Sequence, residues 1–245
     1  MPTLDTIHTR IAAPAVAPHP YGLFSYVTPT SPTDHGLTGV SWDSWSCAVG
    51  MVSTTTDVCI NGGAAPPAKT TSRCPTNIKV KPVTVYIGRQ RGGQSYDVGE
   101  AQVRGALEDG EEFAIESWLW TKLAASITEV ATALPAVALA TVEETLANEY
   151  MGTGVIHMSR ATATRLGTQN LLRINGRIET VVGTPVIVGA GYEPGAIYGT
   201  GQLVVYRSDI DVLDNWNLSV NDQFVIAERT YVVGWDCAAN GALVS

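Results

Sequence analysis

Between Asp97 and Leu123 apolar residues recur at helical spacing on either side of an acidic run, which predicts an amphipathic helix. Val103, Leu107, Ala114, Trp118 and Leu119 form its apolar stripe, and Glu108, Asp109, Glu111, Glu112 and Glu116 are expected to face water. Asp97 is the candidate N-cap, with Glu100 at capping-box spacing. Gly105 and Gly110 each weaken the middle by about 1 kcal/mol relative to alanine and predict a bend. A second helix is expected from Pro135 to Tyr150, with Leu139, Val142, Leu146 and Tyr150 on one face and Gly152 closing it.

Elsewhere the period shortens to that of strands. Ile78, Val80, Val83, Val85 and Ile87 make a β-rich run broken by Pro82, an edge strand or two short ones. Val155 and Ile156 mark a buried strand from Gly154 to Met158, after which Ser159 caps a short helix through Leu166 that ends at Gly167. Asn175 and Gly176 predict a type I′ hairpin between Leu171–Ile174 and Arg177–Val182. Pro185 to Val188 and Gln202 to Arg207 read as strands, with the glycine loop Gly189, Gly191, Gly195 between them. Asn221 and Asp222 turn the chain into a long final strand, Phe224 to Trp235. Helices and strands mix without regular alternation, so the expected class is α+β.

The first forty residues lack either period. Pro14, Pro18, Pro20, Pro29 and Pro32 forbid a helix and discourage a central strand, so this stretch reads as an extended arm that cannot bury itself. If ordered, it lies on its own domain or on a neighbouring subunit. From Val40 to Thr76 a small-residue tract with Gly62, Gly63, Pro66 and Pro67 reads as a long hairpin or loop. Trp42 and Trp45 at its start are candidates for contact with another chain, or for a local mini-core beneath the loop.

Charge and chemistry narrow the classes. Fifteen basic against 23 acidic residues give a net charge of -8 with no basic run, which excludes a protein that tracks phosphates. No apolar run approaches the length of a membrane span, and Met1 to Arg10 lacks the layout of a signal peptide, so a soluble chain made in the cytoplasm is expected. Cys47, Cys59, Cys74 and Cys237 lack zinc-site spacing; they read as buried small hydrophobes, with a disulfide or metal clip among the first three as the alternative. His8, His19, His35 and His157 are scattered, and no metal ligand set is expected. The glycine loop misses dinucleotide-fingerprint spacing, and no Walker loop, nucleophile elbow or zinc-helix motif occurs. His157 and Ser159 lie close in sequence, but Ser159 already has a role as N-cap. Catalytic, cofactor and metal residues are therefore expected to be none.

The order of features nevertheless resembles a known family. The resemblance rests on the N-terminal arm, on Gly99 to Leu123 with Glu111-Glu112-Phe113-Ala114-Ile115-Glu116, on Gly154 to Ala163, and on the run from Val181 to Trp235. Together these resemble the major capsid proteins of tailed bacteriophages, whose Hong Kong 97-type fold is shared with encapsulin shells. In that likeness Gly99 to Leu123 is similar to the spine helix, and Gly154 to Leu166 to the strand and helix that enter the axial domain. Gly183-Thr184-Pro185-Val186 resembles the family's glycine-x-proline-valine strand start, while Tyr206 to Asp211 and Glu228 to Val233 resemble its closing strands.

The resemblance implies an arm (1–40), an extended loop (41–77), a peripheral domain with the spine helix (78–150, joined by part of the C-terminal strands), and an axial domain with closing strands (151–245). It implies a structural, non-enzymatic shell protein that assembles with itself as pentamers and hexamers around a genome. Decoration, scaffold and portal proteins are the further partners, DNA is touched only non-specifically, and no membrane or cofactor is involved. Its location is the virion, with assembly in the host cytoplasm. A head–tail connector or tail protein is the alternative, followed by a small enzyme or ligand-binding protein.

Overall fold

A computed structural model describes residues 16–31, 38–44, 46, 76–90, 96–131, 134–217 and 222–244. Trp45, Cys47, Cys59, Cys74, the tract with Gly62, Gly63, Pro66 and Pro67, His8, His35 and Asn221 lie outside the described residues.

The first described stretch carries one short helix, α1 (Leu23–Tyr26), in the proline-free interval between Pro20 and Pro29. Leu23 is fully buried. The Tyr21 carbonyl accepts the Val188 amide at 2.8 Å, and the Arg207 amide donates to the Thr30 carbonyl at 2.9 Å. Of the two expected resting places, residues 16–31 take the one on their own domain, and α1 corrects only the expectation that the prolines forbid a helix in this stretch. One leucine enters the core, and the backbone around it docks on strands of the same chain.

Two strands follow, β1 (Val40–Ser44) and β2 (Thr76–Val80), in an antiparallel ribbon with Trp42 opposite Ile78. Pro82, which cannot donate to a ladder, separates β2 from β3 (Val83–Gln90). Helix α2 (Tyr96–Ser126) runs 31 residues, continuous through Gly105 and Gly110. Asp97 sits inside its first turn rather than at the cap, where its carboxylate favours the positive end of the helix dipole. Helix α3 (Pro135–Glu149) begins at the expected proline and buries the expected Leu139, Val142 and Leu146.

Strand β4 (Val155–Ser159) leads into α4 (Arg160–Thr168), capped as expected: the Ser159 hydroxyl oxygen accepts the Thr162 amide at 3.2 Å. Strands β5 (Leu172–Asn175) and β6 (Arg177–Thr180) form the expected hairpin. Its turn is not type I′, because that turn requires two positive φ values and only Gly176 (φ +74°) has one. The chain closes with β7 (Val186–Gly189), β8 (Ala196–Thr200), β9 (Leu203–Arg207), β10 (Asp211–Asn217), β11 (Asp222–Trp235) and β12 (Ala239–Leu243). The periodic reading missed β8, β10 and β12, since glycines dilute the apolar signal of two and β10 is largely polar.

The architecture is α+β. In one sheet β11 pairs with β10 and then β9 along one edge and with β3 along the other, and α2 packs on β11 and β3. The second sheet has the order β12-β8-β4-β7, with β4 and β7 parallel, and α3 packs on β12 and β8. Ile115, Leu119, Trp120 and Leu123 of α2 join Val155, Ile187, Tyr198, Val205, Tyr231 and Val233 in a core that draws on both sheets. Each such aliphatic side chain contributes about 1.5–3 kcal/mol by burial. A second core sets Ala138, Leu139 and Val142 of α3 against Ile156, Met158, Leu166 and Ile197.

Candidate functional site

Along the buried face of α2, Val103, Leu107, Glu111, Ile115, Leu119 and Leu123 follow one another at four-residue spacing, so a carboxylate occupies a core position. Glu111 is 4 % exposed and Glu116 1 %. The expectation that the whole acidic run faces water is thereby corrected, and it holds for Glu108 and Asp109, which are exposed. Both Glu111 oxygens accept from Arg229 Nη1 at 2.8 Å, and one accepts from Arg207 Nη1 at 3.0 Å. This charge-assisted cluster fastens α2 to β9 and β11.

The next carboxylates fasten the N-terminal stretch. Glu116 accepts the amides of Leu23 and Gly191, each at 2.9 Å, and Glu112 accepts the Phe24 amide at 2.7 Å. The orphan donors that begin α1 are thus satisfied by side chains of α2. Burial raises the Glu112 carboxyl above its ordinary range, with the Phe24 amide pulling the other way. A Cβ at Gly22 would come within 2.5 Å of a Glu112 oxygen and would push that carboxylate away from the Phe24 amide. At Gly191 a Cβ would come within 2.4 Å of the Phe113 carbonyl. The glycine loop therefore directs an amide at a carboxylate of its own chain.

The aromatic stripe shifts by two positions from the expected one. Trp118 is only half-buried, with the Lys122 ammonium 5.8 Å from its ring centre, and Ala114 is likewise half-buried. Trp120 is the buried indole, stacked on Tyr192 with centroids 5.0 Å apart and meeting Tyr198 edge-on at 4.6 Å.

His157 is fully buried between Tyr192 and Thr200. The Thr200 hydroxyl donates to the Gly201 carbonyl, so its oxygen accepts from His157 Nε2 at 2.9 Å, and Nδ1 accepts from the Tyr192 hydroxyl at 3.0 Å. Burial pushes the imidazole pKa down to about 3. With both nitrogens occupied, this histidine is a structural hydrogen-bond bridge with no capacity left to act as a base.

Trp42, a sequence candidate for subunit contact, donates its indole N–H to Asp236 at 3.0 Å and lies beside Gly234. Burial works to raise the Asp236 carboxyl, but bonds from Ser44, Trp42, Ser46 and Tyr150 outweigh it and hold the group below its usual range. Trp42 is half-buried, so part of the indole remains on the surface. Cys237, expected as a free buried thiol, is disulfide-bonded, which corrects that expectation. Among the described residues no three His, Cys, Asp or Glu side chains could hold a metal ion, and no helix is long and apolar enough to cross a membrane.

The charged fastening carried a signal in the sequence. Arg229 shares strand parity with the buried Val225, Ala227, Tyr231 and Val233, and Arg207 shares parity with Leu203 and Val205. Opposite charges at core positions of separate elements are the pattern that joins them.

A long helix is clamped across one sheet, with a second sheet beside it and an N-terminal stretch held by the helix carboxylates, and this arrangement matches Hong Kong 97-type capsid folds over nearly the whole chain. The chain is similar in structure to the capsid of the native GTA particle (TM-score 0.57, 13 % identity, 99 % of this chain and 96 % of that chain). It is similar also to the capsid of Ralstonia phage GP4 (TM-score 0.55, 14 % identity, 99 % and 95 %). A third likeness is the virus-like particle from Pyrococcus furiosus (TM-score 0.51, 11 % identity, 71 % and 82 %). No protein-family model and no curated protein matches the sequence.

Proposed function

We propose that this chain is the major capsid protein of a tailed bacteriophage, a structural protein that assembles with itself into the icosahedral head shell around the genome. The observation that carries the reading is near-complete mutual coverage: the GTA and GP4 capsid chains match 99 % of this chain and 96 % and 95 % of their own. In this reading α2 is the spine helix, and with the sheet around β11 it forms the peripheral domain. The sheet β12-β8-β4-β7 with α3 and α4 is the axial domain, and the β1–β2 ribbon is the base of the extended loop. Trp42 and Trp45 contact a neighbouring subunit.

The partners are copies of this chain as pentamers and hexamers, with scaffold, decoration and portal proteins added during assembly in the host cytoplasm. The net charge of -8 suits an inner wall to which packaged DNA does not adhere. Electron microscopy of the purified protein tests the proposal. Closed shells are expected; a single small ring would favour a connector or tail component, and a monomer that binds a small ligand in a polar cleft would overturn the shell reading.

A further inference from the structure

The chain contains four lysines, and three of them, Lys79, Lys81 and Lys122, line one groove of about 580 Å³. Its apolar lining includes Trp118, Trp235 and Val83. All three lysines are exposed, and the ion pairs among the described residues all use arginine. A strongly acidic protein thus gathers most of its lysines around an apolar cleft, and among the described residues no carboxylate pairs with them.

The complementary surface lies on the other side of the same sheet. α2 covers the face bearing Val85, Ile87 and Val212, and the opposite face leaves Tyr86, Leu213 and Phe224 at 71 %, 51 % and 38 % exposure. Asp211 and Glu228 stand directly across from each other on β10 and β11 within that patch. Like charges directly opposite on adjacent strands are destabilising, and among the described residues neither is in an ion pair. The patch has what the groove lacks: carboxylates around apolar side chains.

One molecule cannot bring the two together. Glu228 and Gly234 lie on the same strand, separated by about 20 Å at roughly 3.3 Å per residue, twice the reach of a screened charge. The patch also faces away from the α2 side, where Trp118 and Lys122 stand. We infer that the lysine groove of one copy receives the Asp211–Glu228 face of a second copy, head to tail. Contacts of that kind generate closed rings when the rotation closes. The inference rests on the assembly reading and specifies which surfaces meet in it.

A charge-swap experiment tests it. Lys79→Glu with Lys81→Glu, and separately Asp211→Lys with Glu228→Lys, are expected to abolish assembly seen by electron microscopy and sedimentation, while far-UV circular dichroism stays at wild type. Combining all four substitutions is expected to restore assembly. A double variant that assembles like wild type overturns the inference, as does a folded fourfold variant that fails to recover. If wild type forms small oligomers instead of shells, the capsid reading falls while the swap still decides the contact. A wild-type monomer overturns both.

Discussion

Glu111 shows how one side chain can join three elements. Its carboxylate is 4 % exposed and meets two guanidinium groups, so Glu111→Ala leaves the largely buried Arg229 unpaired, while Arg207 can turn to solvent, and is expected to destabilise the fold by about 3 kcal/mol. Asp109→Ala, two positions away and exposed, is expected to be nearly silent in the same denaturant titration. The two indoles of α2 should separate in the same way. Trp120→Ala removes a 5 %-exposed ring and should cost about 3–5 kcal/mol, with half-buried Trp118→Ala costing clearly less. His157 supplies a pH test. Its folded pKa of about 3 lies below the ordinary 6.5, so the unfolded chain takes up the proton first. Its contribution is complete above pH 6.5 and is lost as pH falls toward 3, by up to about 1.4 kcal/mol per unit. Unfolding measured from pH 7 to pH 4 should show that slope, and His157→Gln should remove it. The state of Cys237 is checked by thiol titration of denatured, unreduced protein. With that residue disulfide-bonded and four cysteines in the chain, at most two thiols should react.

Elements divide according to how local their cause is. α3, β4 and the Ser159 cap were legible because propensity, period and cap chemistry all act within a few residues. α1 was not, since what fixes it is the pairing of its amides with Glu112 and Glu116, 88 and 93 residues away. This changes the expected behaviour of truncations. Deleting residues 1–15, which keeps α1 and its carboxylate partners, is the control. Deleting residues 1–31 removes Leu23, strips Glu112 of the Phe24 amide and leaves Glu116 only the Gly191 amide, and should lower stability by several kcal/mol, about 3 or more. Equal melting curves for the two truncations would show that α1 is not held by α2.

For the molecule as a whole, the two sheets are joined through a shared core beneath α2 and through charged fastenings that no single element contains. Such an arrangement keeps polar groups buried only where their partners are rigidly supplied. It also leaves the far face of the β11 sheet and the lysine groove open to other copies. The capsid reading and the head-to-tail contact are therefore separable in experiment: shells establish the first, and restoration by charge swap establishes the second.

The α+β class, the two long helices, the capped β4–α4 unit, the hairpin around Gly176 and the order of features that resembles a capsid protein were all set by local patterns in the chain. Short-range steric preference and hydrophobic period are enough to fix these. The destination of Glu111 and Glu116, the burial of Trp120 in place of Trp118, the docking of residues 16–31 and the strands β8, β10 and β12 depended on partners far away in sequence. A carboxylate reads as solvent-facing until an arginine from another element meets it. A glycine-rich strand reads as loop until a neighbouring strand pairs its backbone. Long-range pairing leaves at most a charge at a core-parity position, as at Arg229, and nothing within that window names the partner that meets it.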